Sequence, residues 1–271
     1  MEDNYNKCKY HKQLLNNRDI IRFINTSITD DCLMSNENAL VHSINSISCY
    51  NYGVSVDIVN KYPYANIASL RKQDNNVKWM ACHNDRSYEG SCCIHSKSSC
   101  SKYPNIATLV SQYSIGNPYN QNLHFNEFFE KYNEQSFKSH IIQDTLYNRI
   151  ISFNKSIYLL GNMLKTNSSY NHIKRIFLPM GLGRDYVDII WINKYYPIIE
   201  KFAYEMKYYY KQCYLVQNNS NINNEYLNIF EEMKQIKWKN LEEYYDNNIE
   251  CQCNRESLEY DVPDTQRMYI I

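Results

Sequence analysis

The chain has 271 residues, with 29 Lys plus Arg against 29 Asp plus Glu, and so carries no formal net charge at pH 7. That balance excludes the broad positive field needed to wrap duplex DNA or coat an anionic membrane, and leaves only local patches. At 44% hydrophobic and 21% charged residues, the chain holds enough apolar material for a core. Tyrosine is the main anomaly, 27 residues against 9 Phe and 3 Trp, and with the abundant Asn, Ile and Lys it follows the codon usage of an AT-rich genome.

Residues 1–17 are polar and lack the apolar stretch of a signal peptide. No run approaches the ~20 apolar residues of a membrane-spanning helix. The expectation is an intracellular chain, cytoplasmic or nuclear, with no membrane partner. Its ten cysteines (Cys8, Cys32, Cys49, Cys82, Cys92, Cys93, Cys100, Cys213, Cys251 and Cys253) are then expected as reduced thiols.

Along the chain, strand-length apolar runs occur at 19–25 (DIIRFIN), 39–45 (ALVHSIN), 77–82, 91–95, 105–113, 175–180 and 212–217. Helical patterns fall between them at 54–61, 140–164 and 188–204, the last containing Pro197, which predicts a kink or a second helix start. Strand runs alternating with helical patterns predict an α/β fold, a central mixed sheet flanked by helices. Residues 116–122 (GNPYNQN) read as a loop, and Phe125, Phe128, Phe129 and Tyr132 after it as core or lid. A polar tract at 217–224 precedes a helical pattern at 225–238 and an irregular strap at 246–271. Three parts are therefore expected: an N-terminal segment 1–17, an α/β body 18–217, and a helical and irregular extension 218–271.

The stretch 175–188 (RIFLPMGLGRDYVD) is the most informative. An apolar strand runs through Pro179 into Gly181-Leu182-Gly183, then Arg184 and Asp185, then a helix. Glycines let backbone N–H groups approach a phosphate, and a helix N-terminus adds partial positive charge. The segment 49–55 (CYNYGVS) repeats the arrangement, with Gly53 opening a helix. Loops at the ends of two parallel strands can face one another across a cleft. His42, on an apolar strand, reads first as a core histidine and second as a general acid–base, whereas Asn45 at that strand's end is placed to touch a ribose.

Cys82, His83, Cys92, Cys93, His95 and Cys100 form the rival chemistry. Their spacings match no common zinc pattern, and strand alternation sends Cys92 and Cys93 to opposite faces, so thiols are the plainer reading and no metal or other cofactor is expected. The segment 204–211 (YEMKYYYK) reads as packing plus solvated lysines, with base stacking as the alternative; a nucleic-acid partner is not expected.

The order of these segments resembles the macro domain family, in its viral and glycohydrolase-like branches. The resemblance covers about residues 20–217 and rests on ALVHSIN at 39–45, on Cys49 to Ser55 and on KYPYA at 61–65 with Arg71-Lys72. It rests equally on Glu89-Gly90, on 104–113 and on Phe177 to Asp185 followed by Trp191 and YPIIE at 196–200. It implies a three-layer sandwich that binds ADP-ribose or a related ADP-ribosyl ligand. Hydrolysis at the distal ribose would make the chain an ADP-ribosyl hydrolase or an ADP-ribose-1''-phosphate phosphatase. By the same resemblance Asn45, Asn51, Gly53, Val54, Ser55, Gln112, Gly181, Leu182, Gly183 and Arg184 would hold the ligand, and Asp185 or His42 would handle the proton. The chain departs from the family at four places, one being a second loop shorter by one residue between Pro179 and Gly181. Gly53 stands alone in the first loop, Ser27 occupies the position of an adenine-binding carboxylate, and Gln112 that of a catalytic lysine. These departures favour the alternative, a degenerate macro-like fold serving as a structural or protein-interaction module.

Overall fold

A computed structural model describes residues 20–97, 102–114, 144–181, 190–217 and 228. They lie within the compact unit Ile20–Phe230. The expectations for 1–17, 116–132, Leu182–Asp185 and nearly all of 218–271 fall outside the described residues.

The elements, in chain order, are β1 (Ile21–Asn25), β2 (Asn38–Asn45), α1 (Val54–Lys61), β3 (Cys92–His95), β4 (Asn105–Gln112), α2 (Leu146–Thr166), β5 (Arg175–Pro179), α3 (Tyr196–Tyr208) and β6 (Gln212–Gln217). The six strands form one mixed sheet in the order β1-β6-β5-β2-β4-β3. Every neighbouring pair is parallel except the antiparallel edge pair β3–β4. The fold is α/β, as the alternation of patterns predicts.

Central strands buried on both faces read as continuous apolar runs, and β2 and β4 do so apart from a few polar residues. On one face Leu40, Ile106, Phe177 and Val216 pack with Ile58 and Tyr62 from α1 and its end. Phe177 stacks on Tyr214 there at 4.7 Å between ring centroids. The alternate residues Ala39, Val41, Ala107, Leu109, Ile176 and Leu215 are fully buried on the other face. Helices α2 and α3 cover that side with Phe153, Leu160, Ile199 and Phe202. Gly161 of α2 lets α3 come close, since a Cβ there would sit 3.6 Å from Phe202 and Met206.

Pro197 marks a second start. A π turn, Trp191–Tyr195, runs without a break into α3, so the start is a change of helix type, and the wide turn lies just before the residue that has no N–H to donate, Pro197. The run 77–82 is not a strand. The Asp74 carboxylate accepts the Asn76 and Val77 N–H groups and turns the chain, and only isolated bridges, Ser48 with Met80 and Gln73 with Ala81, remain. Cys32, Cys49, Cys82, Cys92, Cys93 and Cys213 are all free thiols. Among the described residues no helix is long and apolar enough to cross a membrane.

His42 lies in the core, 1% exposed, its Nε2 sharing a 2.8 Å hydrogen bond with Thr108 Oγ1. Burial, helped by the nearby His95, pushes its pKa down to about 3. The unfolded chain takes up this proton below about pH 6.5 and the folded chain does not, so the folded state loses stability as pH falls from 6.5 toward 3. The slope reaches about 1.4 kcal/mol per pH unit. Urea melts between pH 7 and 5 should show His42→Gln losing less stability on acidification than wild type; parallel curves would contradict this account. A second pair of melts checks the glycines. Gly90 has φ +79 and a Cβ there would lie 2.9 Å from Lys155 Cβ, so Gly90→Ala should cost about 2 kcal/mol. Gly161→Ala should be neutral or stabilising by up to about 1 kcal/mol.

Candidate functional site

The site follows from where the sheet stops pairing. β2 and β5 are neighbours, yet their ladder runs only through Asn38↔Arg175, Ala39↔Ile176 and Leu40↔Phe177. Beyond it β2 keeps to β4 as far as Asn45↔Gln112, and β5 keeps to β6 as far as Pro179↔Val216. The chain then leaves β2 toward α1 on one face and β5 toward α3 on the other. Strands whose connections diverge in this way leave a crevice at their carboxyl ends, the usual ligand site of an open α/β sheet.

Left-handed glycines follow both strands. Gly53, with φ 55 and ψ -138, is the N-cap residue of α1. Gly181, with φ 80, comes directly after Met180, whose N–H still donates to the Val216 carbonyl. Both conformations suit a residue without Cβ, and both let the backbone turn sharply at the crevice. Leu182, Gly183, Arg184 and Asp185 lie outside the described residues.

The loop after β2 is an arch stitched to its neighbours. Asn45 Oδ1 accepts the Ser48 N–H at 2.6 Å, and the Ser46 N–H reaches the Gln112 carbonyl at 2.9 Å. The buried Arg71 guanidinium donates to the carbonyls of Asn45 and Ser48 and to Ser87 Oγ. Further along, Asn51 Nδ2 donates to Asn66 Oδ1, while Asn51 Oδ1 accepts the Ser55 hydroxyl, each at 2.8 Å. The side chains of Asn45, Asn51 and Ser55 therefore shape the loop, and the groups left to meet a ligand around Tyr52 to Val54 are mainly backbone. Tyr50 and Tyr52 are about half exposed beside them.

The end of β4 lies beyond β2, on the side away from β5. Ser111 is the extra residue of a bulge against Ile44 and Asn45. An almost fully buried ion pair, Arg149 with Asp144, then fixes the chain. Arg149 donates to both carboxylate oxygens, at 2.8 and 2.6 Å, and Nη1 reaches Gln112 Oε1 at 3.3 Å. The same carboxylate accepts the Tyr113 and Ser114 N–H groups. Glu89, half-buried near this pair, has its pKa pushed up to about 7, first by burial and then by the Asp144 charge. It is therefore partly protonated at neutral pH, which sequence reading missed. Asp144 and Arg149 were missed too, because a pair five residues apart at the mouth of a helical pattern carries no motif.

The other expected residues separate. His42 faces Thr108 in the core, 1% exposed, and burial keeps it neutral, which places its ring away from solvent. Ser27, beyond the end of β1, bonds Thr29 Oγ1 at 2.9 Å. The nearby carboxylate Asp30 accepts the Cys32 N–H and the Thr26 hydroxyl, bonds that lower its pKa. Cys92 pairs across the edge with Leu109 and Cys93 with Thr108, which puts the two thiols on opposite faces. Cys93 Sγ meets His95 Nε2 at 3.1 Å. Among the described residues no group of three or more His, Cys, Asp or Glu is placed to hold a metal ion; Cys100 lies outside them.

Comparison with protein-family models and with curated proteins finds no match to this chain.

The Asp144–Arg149 pair is open to test. Removing one partner strands a buried charge, at a cost of about 3–5 kcal/mol. Asp144→Ala should thus be severely destabilised in denaturant melts, and Asp144→Ala with Arg149→Leu should regain part of the loss. A double variant weaker than the single would show that the carboxylate acts mainly through the Tyr113 and Ser114 amides.

Proposed function

We propose that the crevice between β2 and β5 binds ADP-ribose or a related ADP-ribosyl ligand. The observation that carries this reading is the short β2–β5 ladder, ending in diverging strands that are each followed by a left-handed glycine, Gly53 and Gly181. A pyrophosphate is a doubly charged, extended group that backbone N–H donors at such turns can cradle without a compensating lysine. The family resemblance in the sequence supports the same ligand. In this reading the pyrophosphate lies between the Asn51–Ser55 segment and Gly181–Arg184, and the distal ribose lies toward Asn45 and Asp185.

Hydrolysis at that ribose would need a carboxylate to polarise the attacking water, and Asp185 is the residue for it. No lysine adduct is part of this chemistry, since Gln112 stands at the position and its Oε1 is held by Arg149.

One observation favours a second reading, a protein-interaction module without catalysis. The side chains of Asn45, Asn51 and Ser55 are all committed to internal hydrogen bonds, which leaves the first loop few polar atoms with which to read a sugar.

Calorimetric titration with ADP-ribose, beside a product assay, separates the two. Wild type should bind, and ligand at about 100 times its dissociation constant should add about 2.7 kcal/mol of apparent stability. Gly183→Val should abolish binding by blocking the approach of the pyrophosphate. Asp185→Ala should bind as wild type and lose any turnover. No binding at millimolar ADP-ribose would favour the interaction module instead.

A further inference from the structure

The opposite end of the sheet carries a second surface of different chemistry. α2 ends at Thr166 and α3 at Tyr208, both beside the start of β5. A cleft of about 290 Å³ opens there, lined by Lys165, Asn171, Lys174, Tyr209, Tyr210 and Lys211 among others. Because β5 and β6 begin here and end at the β2–β5 crevice, the two sites lie a strand length apart, roughly 15 Å or more.

Three adjacent aromatic rings face outward at this end. Tyr208 is 51% exposed, Tyr209 49% and Tyr210 93%. Tyr210 is held there by the backbone. The Tyr210 N–H bonds the Lys207 carbonyl and the Lys211 N–H bonds the Met206 carbonyl, the two closing bonds of a Schellman motif. The left-handed residue of that motif is ordinarily glycine, yet here it is Tyr210, with φ 57. Among the described residues it is the non-glycine with positive φ. A strained aromatic that contributes almost nothing to the core points to use of its exposed face.

The cations around these rings outnumber their partners. Lys165 pairs with Glu205 at 3.2 Å. Glu37 serves both Lys174, at 2.5 Å, and Arg175, at 2.9 Å, so that trio retains one positive charge. Lys211 also lines the cleft but is buried, 5% exposed, and burial lowers its pKa; among the described residues its ammonium donates to the Tyr170 and Ile173 carbonyls at 3.2 and 2.6 Å. Lys165 also lies 5.9 Å from the Tyr209 ring centroid. Among the described residues the surface thus combines flat, solvent-facing rings with the one net positive charge of the Lys174, Arg175 and Glu37 trio, the pairing that holds single strands by stacking and phosphate neutralisation.

We propose that this cleft and the Tyr208–Tyr210 rings bind single-stranded nucleic acid, with bases stacked on Tyr209 and Tyr210 and a phosphate at the exposed Lys174. A duplex hides its base faces, and an acidic peptide would use the lysines but leave the rings without a role. The neutral whole chain sets the strength: binding is weak and strongly salt-dependent.

Fluorescence anisotropy of the full chain with a labelled oligothymidylate about twelve nucleotides long tests this. Wild type should bind at low salt and release the strand as salt rises. Tyr210→Gly supplies the residue the Schellman turn prefers, so the fold is kept, with melting no lower than wild type, while affinity falls about fivefold or more. Lys174→Ala should weaken binding and reduce the salt slope by about 0.7. Saturating ADP-ribose should leave the strand bound. The proposal fails if no anisotropy change appears at low salt, or if Tyr210→Gly binds as wild type does. It fails equally if ADP-ribose displaces the strand, or if a duplex or polyglutamate competes as well as the oligonucleotide. None of these outcomes bears on ADP-ribose binding in the β2–β5 crevice, which calorimetry reads separately.

Discussion

Once β2 and β5 part after Leu40 and Phe177, the facing backbone groups of both strands must find other partners. Much of the remaining structure at that end answers this demand. Arg71 takes up the Asn45 and Ser48 carbonyls, the Asn45 side chain takes the Ser48 N–H, and Ser46 turns its N–H onto the end of β4. A guanidinium with five donors can serve several carbonyls at once, which a lysine in its place could not do with the same planar geometry. The segment around 71–87, irregular by itself, exists to deliver that cation and the Trp79 carbonyl to the arch.

The Asp144–Arg149 pair solves the same problem for β4. Its strand ends in a bulge at Ser111, so the Tyr113 and Ser114 amides would be left buried without partners, and the carboxylate receives them. Burying two charges is costly unless nearly every lone pair and proton is used. Here Asp144 accepts from two amides and two guanidinium nitrogens, and Arg149 spends a further hydrogen on Gln112. Gln112 is consequently held in place by structure. Glu89 lies near this cluster, close enough for the Asp144 charge to add to burial in keeping it protonated up to neutrality.

The layered fold was legible because its strongest signals are local. Runs such as ALVHSIN can be buried only inside a sheet, and VSVDIVNK after Gly53 presents Ile58 and Val59 on one side of a short helix. The run 77–82 misled because Val77, Met80 and Ala81 are buried like strand residues. Yet the Asp74 turn beneath them prevents a ladder, and burial without pairing looks the same in a sequence. Of the site, the glycines after β2 and β5 were readable from chemistry, since a turn after an apolar strand needs residues free to adopt positive φ. The roles of Arg71, Asp144, Arg149 and Glu89 were not readable. Each depends on hydrogen-bond partners 5 to 37 residues away or on local dielectric, neither of which leaves a spacing rule.

The left-handed positions of the backbone divide in an instructive way. Gly53, Gly90 and Gly181 adopt positive φ, and a side chain at Gly90 would strike Lys155. At the far end the same backbone region is occupied by Tyr210, whose side chain strikes nothing and stands almost wholly in water. A tyrosine-rich composition accounts for tyrosines on helix faces, where any long side chain is tolerated. It does not account for one at a turn where glycine is favoured on steric grounds by roughly 1–2 kcal/mol. Gly90 clears space where Lys155 comes close, and Tyr210 projects a ring that is 93% exposed. Positive φ thus goes with a side chain excluded at Gly90 and with one extended into solvent at Tyr210.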